Sequence, residues 1–123
     1  MKVNLLIVPA IIASVAIFAV PASASETRCG WLQNPTPANW YLTDKDGTWT
    51  IGIQGGYQAK GIENIPDAGD KEVVLTNGNH GYNCACLNVT VNSTLMRILE
   101  IRGGEALPLS TCREDPNVPK SPS

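Results

Sequence analysis

Residues 39–53 read NWYLTDKDGTWTIGI, and the pattern within this stretch decides the fold class. Two runs of alternating apolar and polar side chains flank a turn-forming sequence at 44–47, which is typical of an antiparallel β-hairpin. Pairing Thr43 with Thr48 places the apolar side chains on one face and the polar ones on the other. The predicted apolar face comprises Trp40, Leu42, Trp49, Ile51 and Ile53.

Further along the chain, residues 73–76 and 82–91 predict a second strand pair around the turn at 77–81. On the longer of these strands, alternation puts four apolar side chains on one face and two cysteines on the other. Residues 95–102 fit either a helix or a strand, and we favour a strand because the run is short, rich in Ile and followed by Gly103-Gly104. We therefore predict a mainly β fold, a small single-domain antiparallel sheet of hairpins or a meander.

The first 24 residues predict a secretory signal peptide. Lys2 precedes a mostly apolar run over 3–20, and small residues at 22–24 form a cleavage site. An uncleaved membrane anchor is the alternative interpretation of this run. Cleavage would leave a β domain over 25–115 and a flexible tail over 116–123. We expect an exported protein, periplasmic or extracellular, with no membrane contact after cleavage.

The charge balance argues against one class of partner. The whole chain has a net charge of −2, and removal of Lys2 with the leader leaves eight Lys and Arg against 11 Asp and Glu. Nucleic-acid binding usually depends on a basic surface that contacts phosphates. We therefore expect no nucleic-acid partner.

All four cysteines follow the predicted leader, and an even number in a small exported domain predicts two disulfides. They are Cys29, Cys84, Cys86 and Cys112. A bridge within Cys84-x-Cys86 would close a very small ring, so we expect each of these two to reach Cys29 or Cys112. A metal site shared with His80 and a redox-active Cys-x-Cys are the alternatives. The spacing lacks the paired C-x-x-C sequences of zinc sites, and we predict no metal and no cofactor.

Two surfaces are candidate binding sites. The first is the loop between the second pair of strands, because rigid scaffolds that present loops are common places for recognition. Its candidate residues are Asn77, Asn79, His80 and Tyr82. The second is an aromatic surface formed by Tyr41 and Tyr57, since tyrosine combines an apolar body with a polar tip.

Catalytic interpretations are weaker than these binding interpretations. His80 could act as a general base, but no sequence pattern supplies a nucleophile and an orienting carboxylate. Asp44 and Asp46 resemble the start of a calcium loop that lacks its distal glutamate. The acids at 67 and 70 could form a glycosidase pair, although we interpret them as turn residues. We therefore predict no catalytic residue and favour a protein that is not an enzyme.

Several short motifs together resemble domain of unknown function family 4087, a family of small exported bacterial proteins. The resemblance covers residues 28–119 and implies a bacterial, Gram-negative origin, but it brings no activity, ligand or catalytic residue. The motifs are RCGWLQNPTP at 28–37, DKDGTW at 44–49, QGGY at 54–57, TNGNHGY at 76–82 and CACL at 84–87.

The residues taken together favour a binding or inhibitor-like module that acts through surface loops on a protein or glycan partner. Two other functions stay open at this point. One is a small periplasmic hydrolase that uses His80, and the other is a redox or metal-handling protein that uses Cys84-x-Cys86.

Overall fold

The computed structural model describes residues 24–69 and 72–122, together with Pro9. The predicted signal peptide therefore lies outside the described residues except for Pro9 and Ala24, and so does the acid at position 70. Within the described ranges, no helix is long and apolar enough to cross a membrane.

The mainly β fold with two disulfides is confirmed. In the described ranges, six strands form one sheet, and the helical elements are a single 3₁₀ turn and one short α-helix near the C-terminus. The elements are β1 Glu26–Thr36, β2 Asn39–Asp44, β3 Gly47–Gly52, the 3₁₀ turn Ile62–Asn64, β4 Val74–Asn77, β5 His80–Asn92, β6 Arg97–Leu107 and α1 Leu109–Glu114.

The sheet closes on itself into a five-stranded barrel, which the sequence patterns did not predict. The strands follow the order β1-β2-β3-β6-β5, and β5 pairs back with β1. Every neighbouring pair is antiparallel except β3 and β6, which run parallel. The short β4 extends the sheet beside the first residues of β5. This strand order, with its single parallel pair, is the arrangement of the OB-fold, a Greek-key barrel.

Closure depends on β1, which pairs with β2 and β5 along the same residues. Trp31 lies opposite Thr43 of β2 and also opposite Cys84 of β5. Gly30, beside Trp31 in β1, packs directly against the backbone of β2. A Cβ atom at Gly30 would lie 2.1 Å from the backbone oxygen of Thr43. A glycine is therefore required here by the crowding of the backbones.

The barrel is weakest between β3 and β6, where only Thr50 and Arg97 pair directly. The chain that follows β3 fills the remaining gap with backbone hydrogen bonds. Ala59 N donates to Ile51 O at 2.8 Å, Lys60 N donates to Leu99 O at 3.0 Å, and Ile101 N donates to Lys60 O at 2.8 Å. This segment thus completes the wall of the barrel.

The interior of the barrel is filled by side chains from every strand except β4. Of the predicted apolar hairpin face, Leu42, Trp49 and Ile51 are buried, as expected, but Ile53 is 44% exposed because β3 ends before it. The core consists of Leu32, Leu42, Trp49, Ile51, Ala59, Ala85, Leu87, Val89, Ile98 and Ile101.

The predicted hairpin register is confirmed over most of its length and fails at one end. Leu42 lies opposite Trp49, as expected. A bulge between Trp40 and Tyr41 then places Trp40 opposite Gly52 rather than opposite Ile51. The extra residue is Ile51 of β3, and Trp40, near the start of β2, packs half-buried against the core at the end of the barrel.

The ambiguous segment at 95–102 is a strand, as we favoured, but its expected end is wrong. Residues 93–96 form the turn, and β6 continues through Gly103-Gly104 to Leu107. The pairing with β5 shifts register between Asn88 and Val89, opposite these glycines. The glycines therefore accommodate an irregularity within the strand and do not terminate it.

The sequence predicted a flexible tail from residue 116, but the first residues of that segment pack against the domain. A second apolar cluster lies outside the barrel and consists of Trp31, Cys84, Cys112 and Val118. Val118 is only 7% exposed, and Trp31 Nε1 donates a hydrogen bond of 2.6 Å to Pro119 O. The packed domain thus extends past residue 115 to Pro119, because the outward-facing indole of β1 needs both an apolar cover and an acceptor.

Candidate functional site

The four cysteines are all used in bridges. Cys29 is joined to Cys86 directly across β1 and β5, and Cys84 is joined to Cys112 of α1. The structure thus selects one of the connectivities that the sequence left open. The two sulfurs of Cys84-x-Cys86 belong to different bridges. In the described part of the chain, no three His, Cys, Asp or Glu side chains are grouped as a metal site would require.

The predicted loop around His80 is tied to the neighbouring strand. Asn34 Nδ2 donates to the backbone oxygens of Thr36 and Asn39, so its Oδ1 accepts a hydrogen bond of 2.8 Å from His80 Nδ1. Asn77 Nδ2 donates to the backbone oxygen of Pro35 at 3.2 Å. These bonds give the imidazole and the Asn77 amide a structural role in joining the β4–β5 turn to β1.

The other two residues of that loop point to different places. Tyr82 packs edge-on against Trp31, with ring centroids 5.3 Å apart, and belongs to the cluster under the C-terminal segment. Asn79 is exposed and lines a hollow at the end of the barrel. The four predicted loop residues therefore do not form one surface.

Tyr41 and Tyr57 likewise occupy different environments. Tyr41 is half-buried on β2, opposite Gln33 and Thr50. The Tyr57 hydroxyl donates a hydrogen bond of 2.6 Å to Ile98 O, and the Arg97 guanidinium lies 4.2 Å from the Tyr57 ring centroid. Burial raises the pKa of Tyr57 above its ordinary value of 10.0, and the charge of Arg97 partly opposes this shift.

We expect alkaline pH to destabilise the fold through Tyr57. Its folded-state pKa is raised, so the contribution to the free energy of unfolding is complete below pH 10.0 and is lost as the pH rises through the folded pKa. Urea unfolding between pH 8 and 11 should therefore show a fall that is shallower in Tyr57→Phe. Tyr41→Phe is the matched control, and an equal flattening in that variant would contradict the assignment to Tyr57.

The acidic turn at 44–47 is a structural ion-pair network and does not resemble a calcium loop. Arg28 donates to Asp44 Oδ2 at 2.9 Å and to Asp46 Oδ2 at 2.8 Å. The guanidinium also lies 4.1 Å from the Trp49 ring centroid. The hydrogen bond from Arg28 lowers the pKa of the Asp46 carboxyl. The positive charge between these two carboxylates is therefore the Arg28 side chain. Gly47, at φ 126°, closes a hairpin turn.

Two adjoining hollows open at the end of the barrel where β1 and β3 end and β2 and β5 begin. The first, of about 510 Å³, lies between the β1–β2 turn and residues 53–58. The second, of about 360 Å³, lies between residues 62–68 and the β4–β5 turn. Trp40 and Ile62 line both of them. We call the two hollows together the Trp40 cleft, and name them the Tyr57 side and the Asn83 side.

The Asn83 side of the cleft combines an apolar floor with neutral amides. Its apolar side chains come from all the elements around the mouth and include Leu32, Trp40, Ile62, Ile65 and Val73. Its polar side chains are Asn34, Asn79, Asn83 and Asp67. Concave sites of this kind, largely apolar with a few placed polar groups, are the usual form of small-ligand sites.

The described lining of the cleft contains carboxylates but no Lys or Arg, and the Arg97 guanidinium lies 4.2 Å from the ring centroid of the lining residue Tyr57. Neither hollow is lined by Lys or Arg within 24–69 and 72–122, whereas Asp67 and Glu63 stand exposed at the rims. Asn83 is 8% exposed, and its Nδ2 donates a long hydrogen bond of 3.3 Å to Cys84 O. No described residue donates to Asn83 Oδ1, which leaves this oxygen as an acceptor at the wall of the cleft.

Sequence reasoning missed this site because it placed Trp40 on the apolar face of the hairpin and, within the stretch 61–70, interpreted only the acids at 67 and 70, as turn residues. A usable signal was present in Ile62 and Ile65, which are three residues apart within that stretch. Both side chains pack against the core beside Trp40. Apolar residues with this spacing in a turn-rich segment indicate that the segment is packed against the domain.

The fold and the site together define a small, disulfide-bridged barrel of OB type with a cleft at one end that is lined by aromatic side chains, amides and two carboxylates. A family model described as "Protein of unknown function (DUF4087)" matches residues 23–119, and the chain belongs to this family. The searches of curated proteins and of solved structures gave no match.

Proposed function

We propose that the protein is an exported binding module without catalytic activity, and that its ligand site is the Trp40 cleft. The observation that carries the proposal is the position of Trp40. Its half-buried indole forms the wall shared by two hollows, at the mouth of a barrel whose closing strands β1 and β5 are joined by the Cys29–Cys86 disulfide. A rigid frame around an aromatic wall is suited to binding because little ordering is needed when a ligand arrives.

The geometry lends less support to the other two functions. A general base needs an orienting partner, usually a carboxylate, whereas His80 is hydrogen-bonded to the amide of Asn34. A redox pair needs two sulfurs that can form and break one bond together. Cys84 and Cys86 instead belong to separate bridges, each of which joins different elements.

Export to the periplasm or beyond is part of this proposal. Disulfides form and persist in such oxidising compartments. The leader-like sequence at 1–24 would direct the chain there. The two disulfides are consistent with this location.

Nuclear magnetic resonance of ¹⁵N-labelled protein tests the site without assuming a ligand class. The three tryptophans give separate indole N–H signals, and two of them are internal controls, because Trp31 Nε1 bonds to Pro119 O and Trp49 Nε1 bonds to Asp44 Oδ1. With a mixed library of oligosaccharides, short peptides and nucleotides, we expect the ligands that bind to shift the Trp40 indole and the Asn83 amide.

Two variants sharpen this experiment. Trp40→Ala removes the Trp40 signal itself and should abolish the shift of the Asn83 amide, whereas Tyr41→Ala, one residue away and outside both hollows, should leave both shifts unchanged. Ligands that shift residues elsewhere and spare the Trp40 indole would contradict the proposal. A library that produces no shift at Trp40 would also contradict it.

A further inference from the structure

We propose that Cys29 is a site of thiol–disulfide exchange, and that the protein reaches its native disulfide pairing as a substrate of an exported dithiol isomerase. The site lies outside the Trp40 cleft and does not depend on it. Three features support the proposal: the order of the paired cysteines along the chain, the position of two cysteines on one face of β5, and the unequal exposure of the two bridges.

The unfolded chain does not distinguish the native pairing from a swapped one. The native bridges cross along the sequence, because Cys84, which pairs with Cys112, lies inside the loop closed by the other bridge. A swapped form would join Cys29 to Cys84 and the remaining two cysteines to each other. The native separations are 57 and 28 residues, and the swap changes each by only two. The loop-closure probabilities of the two forms therefore agree within about 20%.

The alternation of the strands does not prevent the swap either. Cys84 and Cys86 lie on the same outer face of β5, and Cys29 lies directly opposite Cys86. Joining Cys29 to Cys84 requires β1 to slip along β5 by two residues. A slip of one residue would turn every side chain to the wrong face, but a slip of two keeps the apolar side chains inside. Correction of the swapped form therefore needs exchange of the bridges themselves.

The closed barrel does distinguish the two forms. Because β1 pairs with β2 and with β5 along the same residues, its register on both neighbours is fixed once the barrel closes. The native Cys84–Cys112 bridge is then covered, since these two residues are 0% and 3% exposed. Exchange thus runs towards the native pairing, because one of the two native bridges is withdrawn from attack as it forms.

The other native bridge lies on the outside of the barrel and stays accessible. Cys29 is exposed and Cys86 is half-buried. Each of them lines a surface hollow, of about 240 Å³ at Cys29 and about 350 Å³ at Cys86. An attacking thiolate must reach a sulfur atom, so the exposed residue is the point of entry.

The exchange that corrects the swapped form consumes no oxidant. The isomerase thiolate attacks Cys29 Sγ, a mixed disulfide forms, and Cys84 leaves as a thiolate. Cys84 then attacks Cys112 Sγ and expels Cys86 as a thiolate. Cys86 attacks Cys29 Sγ, which forms the last native bridge and returns the isomerase thiolate. Two bridges are broken and two are formed, so electrons and protons balance.

Oxidation of the reduced chain during refolding from urea tests this proposal. With a fast oxidant and no free thiol, we expect swapped and native two-bridge forms in about equal amounts. A catalytic amount of a purified Cys-x-x-Cys isomerase should then raise the ratio of native to swapped form to at least about tenfold. Partial reduction, alkylation and tandem mass spectrometry distinguish Cys84 from Cys86. Native pairing alone after fast oxidation, or a swapped form that the isomerase does not convert, would overturn the proposal.

An isomerase variant without its resolving cysteine tests the point of entry on the native protein. We expect the mixed disulfide at Cys29, with the Cys84–Cys112 bridge intact. Trapping on another cysteine, or no trapping at all, would overturn the assignment of Cys29. The double variant with Cys84→Ala and Cys112→Ala is the matched control, because its single bridge cannot be swapped and should form to the same extent with and without isomerase.

Discussion

Replacement of Cys29 and Cys86 together by alanine should lower the free energy of unfolding by about 4 kcal/mol. The bridge spans a sequence separation of 57 residues, and in the chain-entropy model a longer closed loop restricts the unfolded chain more. A domain of this size has roughly 5–15 kcal/mol in total, so the variant should approach its stability limit. Urea denaturation followed by circular dichroism measures the change.

The second bridge provides the control for this prediction. Cys84 and Cys112 are 28 residues apart, so their joint replacement should cost slightly less chain entropy. It should also release α1 and the segment packed on Trp31, which would appear as a change in the indole signal of Trp31. A loss below about 1 kcal/mol in the Cys29 and Cys86 variant would contradict the entropic account.

Asp44→Ala should destabilise the fold by about 3 kcal/mol, because it breaks a buried charge network. The Asp44 side chain is only 2% exposed. Its Oδ2 accepts from Arg28, and its Oδ1 accepts from the backbone N of Asp46 at 2.9 Å and from Trp49 Nε1 at 3.0 Å. The substitution would leave a buried indole N–H without its acceptor and a largely buried guanidinium without its best-shielded partner.

Two further variants separate the contributions of charge and hydrogen bonding. Asp44→Asn keeps an acceptor for Trp49 but removes the charge that faces Arg28, so we expect an intermediate loss. Asp46→Ala removes a carboxylate that is 48% exposed, and screening by solvent should make its effect small. Equal losses in Asp44→Ala and Asp46→Ala, measured by urea denaturation, would show that burial of the pair is not the cause.

The local patterns were informative wherever neighbours in sequence are also neighbours in the sheet. The alternation in 39–53 predicted the pairing of Leu42 with Trp49, because both strands and their turn lie within fifteen residues. The same holds for β5, whose alternation correctly separated Ala85 and Leu87 from the cysteines. A period of two is a property of the strand itself, so it can be read without knowing the rest of the fold.

The candidate site was hidden from this kind of reasoning. Trp40 lies in the wall of a cleft and not fully inside the core, and a bulge on the facing strand places it opposite Gly52, a feature that nothing in the hairpin sequence marks. The partners of Trp40 in the cleft include Ile62 and Asn83, which are far from it along the chain. A concave surface assembled from such distant segments exists only after the barrel has closed.

The sequence by itself determined the mainly β fold class, the position of the first hairpin and the presence of two bridges, since each depends on local pattern or on residue counts. Only the tertiary structure decided that Cys29 pairs with Cys86 and Cys84 with Cys112, because two cysteines two residues apart are equivalent until their neighbours are placed. It also decided that the sheet closes through β1. That closure is a contact between β1 and β5, whose paired residues lie 47 (Asn34 and Gly81) to 63 (Glu26 and Val89) positions apart, and local periodicity carries no information about contacts at such separation.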